Sequence, residues 1–220
     1  MNRASGIVAA VLAVVYVVFW IWYGGNGDPL SPSEVDELTE RIAAGARSRG
    51  AEPDSHLIDA FRTLAEQDDG REFYMVNLMR YREKALYPEG SGYDDDVEAA
   101  AARYNAAVVP ALIRRGSIPI LVGDWQGTFL QPEDADVWDQ LGIVRYRSRR
   151  DMLEMAASLS RENGGMHKWA SIEKTHVFPV EPFFDFVFVR SAVAVMLIAL
   201  GAAVHAALRF ASSRRTAPDD

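Results

Sequence analysis

The densest run of polar and aromatic side chains in this sequence is Met166-His167-Lys168-Trp169, followed shortly by Glu173 and His176. A histidine near a carboxylate can act as a general acid or base, or ligate haem iron or another metal. Spacing argues against the metal: Glu173 and His176 stand six and nine residues beyond His167, so neither shares a helix face with it at ligand spacing. A second candidate is Asn77, an amide in the middle of the apolar stretch Glu72–Tyr81 (EFYMVNLMRY), where it must find partners or bear the cost of desolvation. In a strand it shares a face with Phe73, Met75, Met79 and Tyr81. Tyr104 is a third, on the apolar stripe of a helix that must cross the sheet. The expectation is that Asn77, Tyr104 and His167 line one ligand-binding cavity between sheet and helices. The competing readings are an amide bonded to a neighbouring strand and a histidine packed at the surface. No catalytic residue, metal ligand or cofactor is assigned.

Other polar clusters have plainer explanations. Asp94-Asp95-Asp96 lacks the alternating oxygen ligands and terminal Glu of a calcium loop, and suits helix capping on a solvated surface. Arg145, Arg147, Arg149 and Arg150 form the one basic run; an anion could bind there, but acids such as Asp139, Asp151 and Glu154 favour ordinary salt pairing. No Ser-His-Asp order, glycine-rich phosphate loop or paired-carboxylate motif is present.

The elements that must position these residues can be read from periodicity. After Gly24-Gly25-Asn26-Gly27, Ser31 or Ser33 can cap a helix carrying Val35, Leu38 and Ile42, and a second helix from about Asp54 carries Leu57, Ile58, Phe61 and Leu64 as far as Gly70. Glu72 to Tyr81 is the first strand. Asp95 or Asp96 opens a long helix striped by Val97, Ala101, Tyr104, Val108 and Leu112, with Pro110 bending it and Gly116 ending it. Ser117 to Gly123 is a second strand, continued by Trp125 to Leu130 past a bulge or turn, and Leu141 to Arg147 is a third. Ser148-x-x-Asp151 reads as a capping box for a helix containing Met152, Leu153, Met155 and Leu159. Gly164-Gly165 breaks that helix from a short segment through Glu173, and Lys174 to Val180 is the last strand. The fold class is α+β, and the order β-α-β-β-α-β is that of a ferredoxin-like domain, whose helices cover one sheet face and leave the other to be buried.

Three stretches carry a family resemblance: VNLMRYR at Val76–Arg82, RYNAAVVPALIRRG at Arg103–Gly116 and VWDQLGIVRYRSRRDM at Val137–Met152. The region from Phe73 to Val180 resembles a small domain-of-unknown-function family of the dimeric α/β-barrel superfamily. The resemblance implies a homodimer with two sheets packed face to face. It also implies a pocket between sheet and helices, which relatives use for haem, aromatic substrates or reactive small molecules. The two lead-in helices and the hydrophobic ends of the chain fall outside the family pattern, leaving open whether the outer helices cover the second sheet face.

Those ends set the context. Ile7 to Tyr23 has no charge in 17 residues, about 25 Å of helix, and Phe19, Trp20, Trp22 and Tyr23 crowd its far end like an interfacial belt. A cleaved signal peptide is the alternative, but the bulky Trp20–Tyr23 favour an anchor. Ser191 to Phe210 is a second span whose ionisable residues are His205 and Arg209. Arg3 before the first span and Arg209, Arg214 and Arg215 around the end of the second place both termini in the cytoplasm, with Arg190 counting against. Small residues four apart, Ala9 and Ala13 and then Ala199, Ala203 and Ala207, allow close helix approach. Between the spans, Gly24–Pro182 carries 18 basic against 28 acidic side chains, which disfavours a nucleic-acid partner. No cysteine is present, which excludes disulfides and thiolate metal sites.

The expected organisation is a cytoplasmic N-terminus (1–6), a transmembrane helix (7–23), a linker with helical lead-in (24–70) and a ferredoxin-like domain (71–182). A juxtamembrane linker (183–190), a second transmembrane helix (191–210) and a cytoplasmic tail (211–220) follow. The functional expectation is a membrane-anchored extracytoplasmic binding or interaction module, with the lipid bilayer, a second copy and a small hydrophobic ligand or membrane-protein partner as its associates. The alternatives are a monooxygenase- or isomerase-type enzyme of the same superfamily and an accessory subunit of a membrane complex.

Overall fold

The computed structural model describes all residues except 1, 2, 26, 49, 51, 131, 133, 134, 163, 186 and 216–220, and the side chains of 211–215 are also left undescribed. Its elements are α1 (Arg3–Tyr23), α2 (Pro32–Arg47), α3 (Ser55–Glu66), β1 (Phe73–Tyr81), α4 (Val97–Arg114), β2 (Ile118–Asp124), β3 (Gln140–Tyr146), α5 (Arg149–Arg161), α6 (Gly164–Ser171), β4 (Ile172–Val180) and α7 (Val189–Arg215). The chain divides into two compact units, residues 24–183 and, separately, 1–23 with 184–220.

The larger unit is an α+β domain around one antiparallel sheet ordered β2-β3-β1-β4. β1 is central because its alternating apolar residues have neighbours on both sides: Asn77, for example, lies between Gly142 of β3 and Val177 of β4. Phe73, Met75 and Tyr146 point to the helical side, where they join Val108, Ala111 and Leu112 of α4 and Leu153, Met155 and Leu159 of α5. The Phe73 and Tyr146 rings stack at 5.4 Å across the β1–β3 pair. Val35 and Leu38 of α2 and Leu64 and Ala65 of α3 belong to the same cluster, both helices packing on α5. The lead-in helices thus thicken the helical layer. The other sheet face, with Val76, Leu78, Leu141, Ile143 and Phe178, keeps partial exposure, and Leu121 on β2 is 50% exposed.

Local signals explain the boundaries. Ser31 caps α2 with a reciprocal capping box to Glu34, Asp54 caps α3 and Asp96 caps α4, so the acidic triplet is in part a helix start. Ser148 Oγ accepts from the Asp151 N–H at 3.1 Å and donates to Asp151 Oδ2 at 2.7 Å, which starts α5. Gly70 is required by its surroundings: φ is +75°, and a Cβ there would sit 1.9 Å from the Gly27 carbonyl oxygen, to which the chain is held by Gly27 N–H donating to Gly70 O at 3.0 Å. Two expectations are corrected. Trp125–Leu130 does not extend β2, which ends at Asp124; it begins an irregular loop that reaches β4 through Asp136–Lys174 and Trp138–His176 contacts. Gly164-Gly165 opens a helix, α6, and β4 begins at Ile172 rather than Lys174.

Each arginine of the basic run pairs with an acid. Arg145 is completely buried, bonded to Glu72 through Nε at 3.1 Å and through Nη2, and to Gly116 O at 2.8 Å. Arg147 pairs with Asp151, Arg149 with Asp69 and Arg150 with Glu34.

In the smaller unit, α1 and the Val189–Phe210 part of α7 are long and apolar enough to cross a membrane. Their windows are 6% and 0% buried, unlike the core helix of a soluble domain, and they fit a two-span membrane protein. They pack against each other: Gly201 allows Leu12 to approach, and His205 Nδ1 lies 2.8 Å from Ser5 Oγ. The Arg190 guanidinium covers the Trp20 and Tyr23 rings at 5.1 and 4.6 Å.

Candidate functional site

Two clusters form where α4 and α6 meet the rest of the domain. The helices can approach because Ala100 and Ala170, both almost completely buried, pack together with Ala85. The chain after β1 is tied to α6 by Arg82 N–H donating to Ser171 O and Leu86 N–H to Ala170 O, both at 2.9 Å. That tie brings Tyr87 and Tyr93 over His167.

In the first cluster, His167 Nδ1 is 2.8 Å from Tyr87 Oη. The Tyr87 and Tyr93 rings stack at 4.7 Å, Tyr93 meets the imidazole edge-on at 4.9 Å, and Arg103 lies 5.0 Å above the Tyr93 ring. Partial burial, and then the Arg103 charge, hold the His167 pKa below its ordinary value, so the ring is neutral at neutral pH. A neutral imidazole held by one phenol and framed by two tyrosine rings ties a loop to a helix.

The second cluster lies between α4, α6 and the sheet. Lys168, the neighbour of His167, turns the other way: its ammonium is 5.9 Å from the centre of the Tyr104 ring and 5.2 Å from that of Trp169. Burial alone lowers its pKa, and among the described residues it has neither an ion-pair nor a hydrogen-bond partner. Burial and then Tyr81 push the Tyr104 phenol up to about 12, and burial with Tyr104 raises that of Tyr146 further. Neither hydroxyl has a hydrogen-bond partner among the described residues. Tyr81 raises the edge of the same face: its Oη donates to Gln140 Oε1 at 2.9 Å, and Gln140 Nε2 donates to Asp124 Oδ1 at 3.3 Å, a polar ladder across β1, β3 and β2. Burial, Asp139 and Asp124 raise the Tyr81 pKa.

Asn77 stands on this helix-facing side, in register with Gly142, and its Nδ2 donates to Met75 O at 3.2 Å and Gly142 O at 3.4 Å. Its Oδ1 has no partner among the described residues. The helices do not cover all of this face: Val122 and Val177, in register with Gly142 and Asn77, are 61% and 38% exposed. Asn77 and Tyr104 therefore share the helix-facing side, whereas His167 is turned to Tyr87 and Tyr93. No hydrogen bond joins any two of the three. His176 belongs to the opposite face, beside Trp138 and Phe178. Among the described residues, no group of three or more His, Asp or Glu could hold a metal ion.

Sequence reasoning passed over Lys168, Tyr146 and Tyr81. Lys168 lay inside the cluster already singled out, and the signal that could have found it was the helical phase of α6, which sends adjacent residues about 100° apart.

No family model and no curated protein matches this chain. Solved structures do, among them the crystal structure of methylated RPA0582 protein (24% identity, TM-score 0.52, covering 61% of this chain and 96% of that one) and that of the RPA0582 protein of unknown function from Rhodopseudomonas palustris, a structural genomics target (24% identity, TM-score 0.51, covering 61% of this chain and 97% of that one). At that identity the likeness is one of fold.

Proposed function

We propose that this chain is a membrane-anchored binding module whose ferredoxin-like domain stands on the extracytoplasmic side and holds a small organic molecule between its sheet and α4 and α6. The strand order β2-β3-β1-β4 supports the ferredoxin-like reading, and with it the resemblance to the dimeric α/β-barrel superfamily. The observation that carries the binding reading is the meeting of Lys168 with Tyr104 and Trp169 where α4 and α6 close up, an amine set against two aromatic rings beside the helix-facing side of the sheet. The exposed apolar residues Val122 and Val177 on the same face give a ligand's hydrocarbon part a surface to lie on.

The open sheet face supports a homodimer formed through Val76, Leu78, Ile143 and Phe178, with the β2–β3 loop at its margin. The basic residues beyond the two spans support cytoplasmic termini. Native mass spectrometry of the full chain, released from a mild nonionic detergent, tests the reading. A dimer carrying a non-lipid adduct that is lost on unfolding is expected. A bare chain, with every adduct assigned to lipid or detergent, contradicts it.

An enzyme of the isomerase or monooxygenase type is the second reading. It is favoured by the lowered Lys168 pKa beside the Tyr104 phenol, an arrangement suited to moving a proton.

A further inference from the structure

We infer that the groove between α1 and α7, at the end of the pair marked by Arg3 and Arg209, is a binding site for one anionic phospholipid whose phosphate His205 recognises. Resting on the membrane-anchored part of the reading above, this gives the smaller unit a partner of its own. The two helices run antiparallel: Ser5, Leu12 and Tyr16 of α1 meet His205, Gly201 and Arg190 of α7 in reverse order. Tyr16, Trp20, Tyr23 and Arg190 fill one end of the seam. At the other end Ala9 and Gly201 carry too little side chain to do so. A groove of about 270 Å³ opens there, lined by Ser5, Val8, Ala9, Gly201 and His205. Ser5 and His205 are its residues nearest the helix ends, and Val8, Ala9 and Gly201 lie about a turn deeper. A phospholipid has the same gradient, with phosphate above and hydrocarbon below.

Depth and charge select the occupant. Arg209 follows His205 by four residues, about 6 Å along the same helix face, and Arg3 precedes Ser5 by two. Arginines at the end of a span stand at the level of the lipid headgroups, so the polar end of the groove opens just beneath that layer. Neither helix contains an acid, and this end of the pair attracts anions. Inside the groove Ser5 Oγ lies 2.8 Å from His205 Nδ1, which fixes the ring and leaves Nε2 as its remaining polar atom. In the tautomer that accepts the Ser5 proton at Nδ1, Nε2 is a donor, and a phosphate oxygen is the acceptor it suits. A zwitterionic headgroup brings the same phosphate with a cation attached, which the arginines repel. An anionic headgroup brings none.

The test is native mass spectrometry of the full chain in a nonionic detergent, titrated with dioleoylphosphatidylglycerol or dioleoylphosphatidylcholine. One phosphatidylglycerol per chain is expected to be retained, at about tenfold lower concentration than phosphatidylcholine. His205→Leu, which removes the imidazole, and Ala9→Leu, which fills the groove, should each reduce that preference by about fivefold or more. Val18→Leu, on the exposed outer side of α1, should leave it unchanged. The comparison of the two lipids on the unaltered chain needs no variant to fold. Retention of both lipids at one concentration overturns the site, and so does a preference that survives both substitutions, which would mean that the basic ends attract anions without a groove. A dimer that Ala9→Leu splits, with no preference between lipids, assigns the groove to a second copy and also overturns it. In these cases the membrane-anchored reading stands. A chain that stays dispersed without detergent and retains neither lipid overturns anchoring and site together.

Discussion

Lys168 and Tyr104 meet with the lysine ammonium 5.9 Å from the phenol ring centre, and neither polar group has a hydrogen-bond partner among the described residues. α6 supplies the amine and α4 the ring. The contact exists because Ala100 and Ala170 let the two helices close up.

Burial lowers the Lys168 pKa below the ordinary lysine value of 10.5. In the window between that lowered value and 10.5 the unfolded chain binds more protons than the folded one, so the lysine's cost to stability falls as pH rises through the window. Lys168→Met should therefore raise the domain's stability at pH 7, on the order of 1 kcal/mol, and the gain should shrink towards pH 10. Thermal unfolding at several pH values reads this out. A variant less stable than the parent at pH 7 would show that the amine has a partner.

Gly70 and Gly90 share a left-handed backbone, with φ of +75° and +77°, but their surroundings differ. A Cβ at Gly70 strikes the Gly27 carbonyl oxygen at 1.9 Å, and one at Gly90 meets nothing within 4 Å. Gly90→Ala should cost about 1–2 kcal/mol for the backbone conformation alone. Gly70→Ala should cost at least about 2 kcal/mol more, since the Gly27–Gly70 strap must shift. Denaturant unfolding of the two variants compares them directly. Equal costs would mean the strap yields freely.

Arg145 is completely buried and its charge is answered by Glu72. Removing one partner leaves an uncompensated buried charge, so Glu72→Gln should destabilise the domain by about 3–5 kcal/mol. The double variant Glu72→Gln with Arg145→Met should recover a large part of the loss. A double-mutant cycle by thermal unfolding measures the coupling, and additive losses would contradict the pairing.

The proposed orientation, with both termini cytoplasmic, rests on Arg3 and on the arginines beyond the second span. An alkaline phosphatase fusion after Gly27 should be active, and a fluorescent-protein fusion after Asp220 should glow in the cytoplasm. A glowing Gly27 fusion, or a mature chain that begins near Gly25, would reverse the orientation or turn the first span into a signal peptide.

The four strands and the two apolar helices were legible because each has a local signature: two-residue alternation in Phe73–Tyr81, an uncharged run in Ile7–Tyr23. Trp125–Leu130 was not, because its β-prone residues gave no sign that the neighbouring strand begins only at Gln140, so nothing in β3 is left to pair with them. The side of the sheet on which Asn77 stands follows from alternation, but its two bonds to backbone depend on the Gly142 partner that the register supplies. The orientation of His167 and Lys168 was hidden for a related reason. α6 has only eight residues and begins with two glycines, so its phase is set by Ala170 against Ala100 and not by a stripe of its own.

The most direct test of the desolvated, unpartnered amine is competitive labelling of the chain's three lysines, Lys84, Lys168 and Lys174, with an amine reagent between pH 6 and 11, followed by peptide mass spectrometry. Lys84 and Lys174 are ion-paired with Asp95 and Asp136, and the Asp95 contact raises the Lys84 pKa. The account predicts that Lys168 titrates below Lys84. A Lys168 that titrates with or above Lys84 would contradict it.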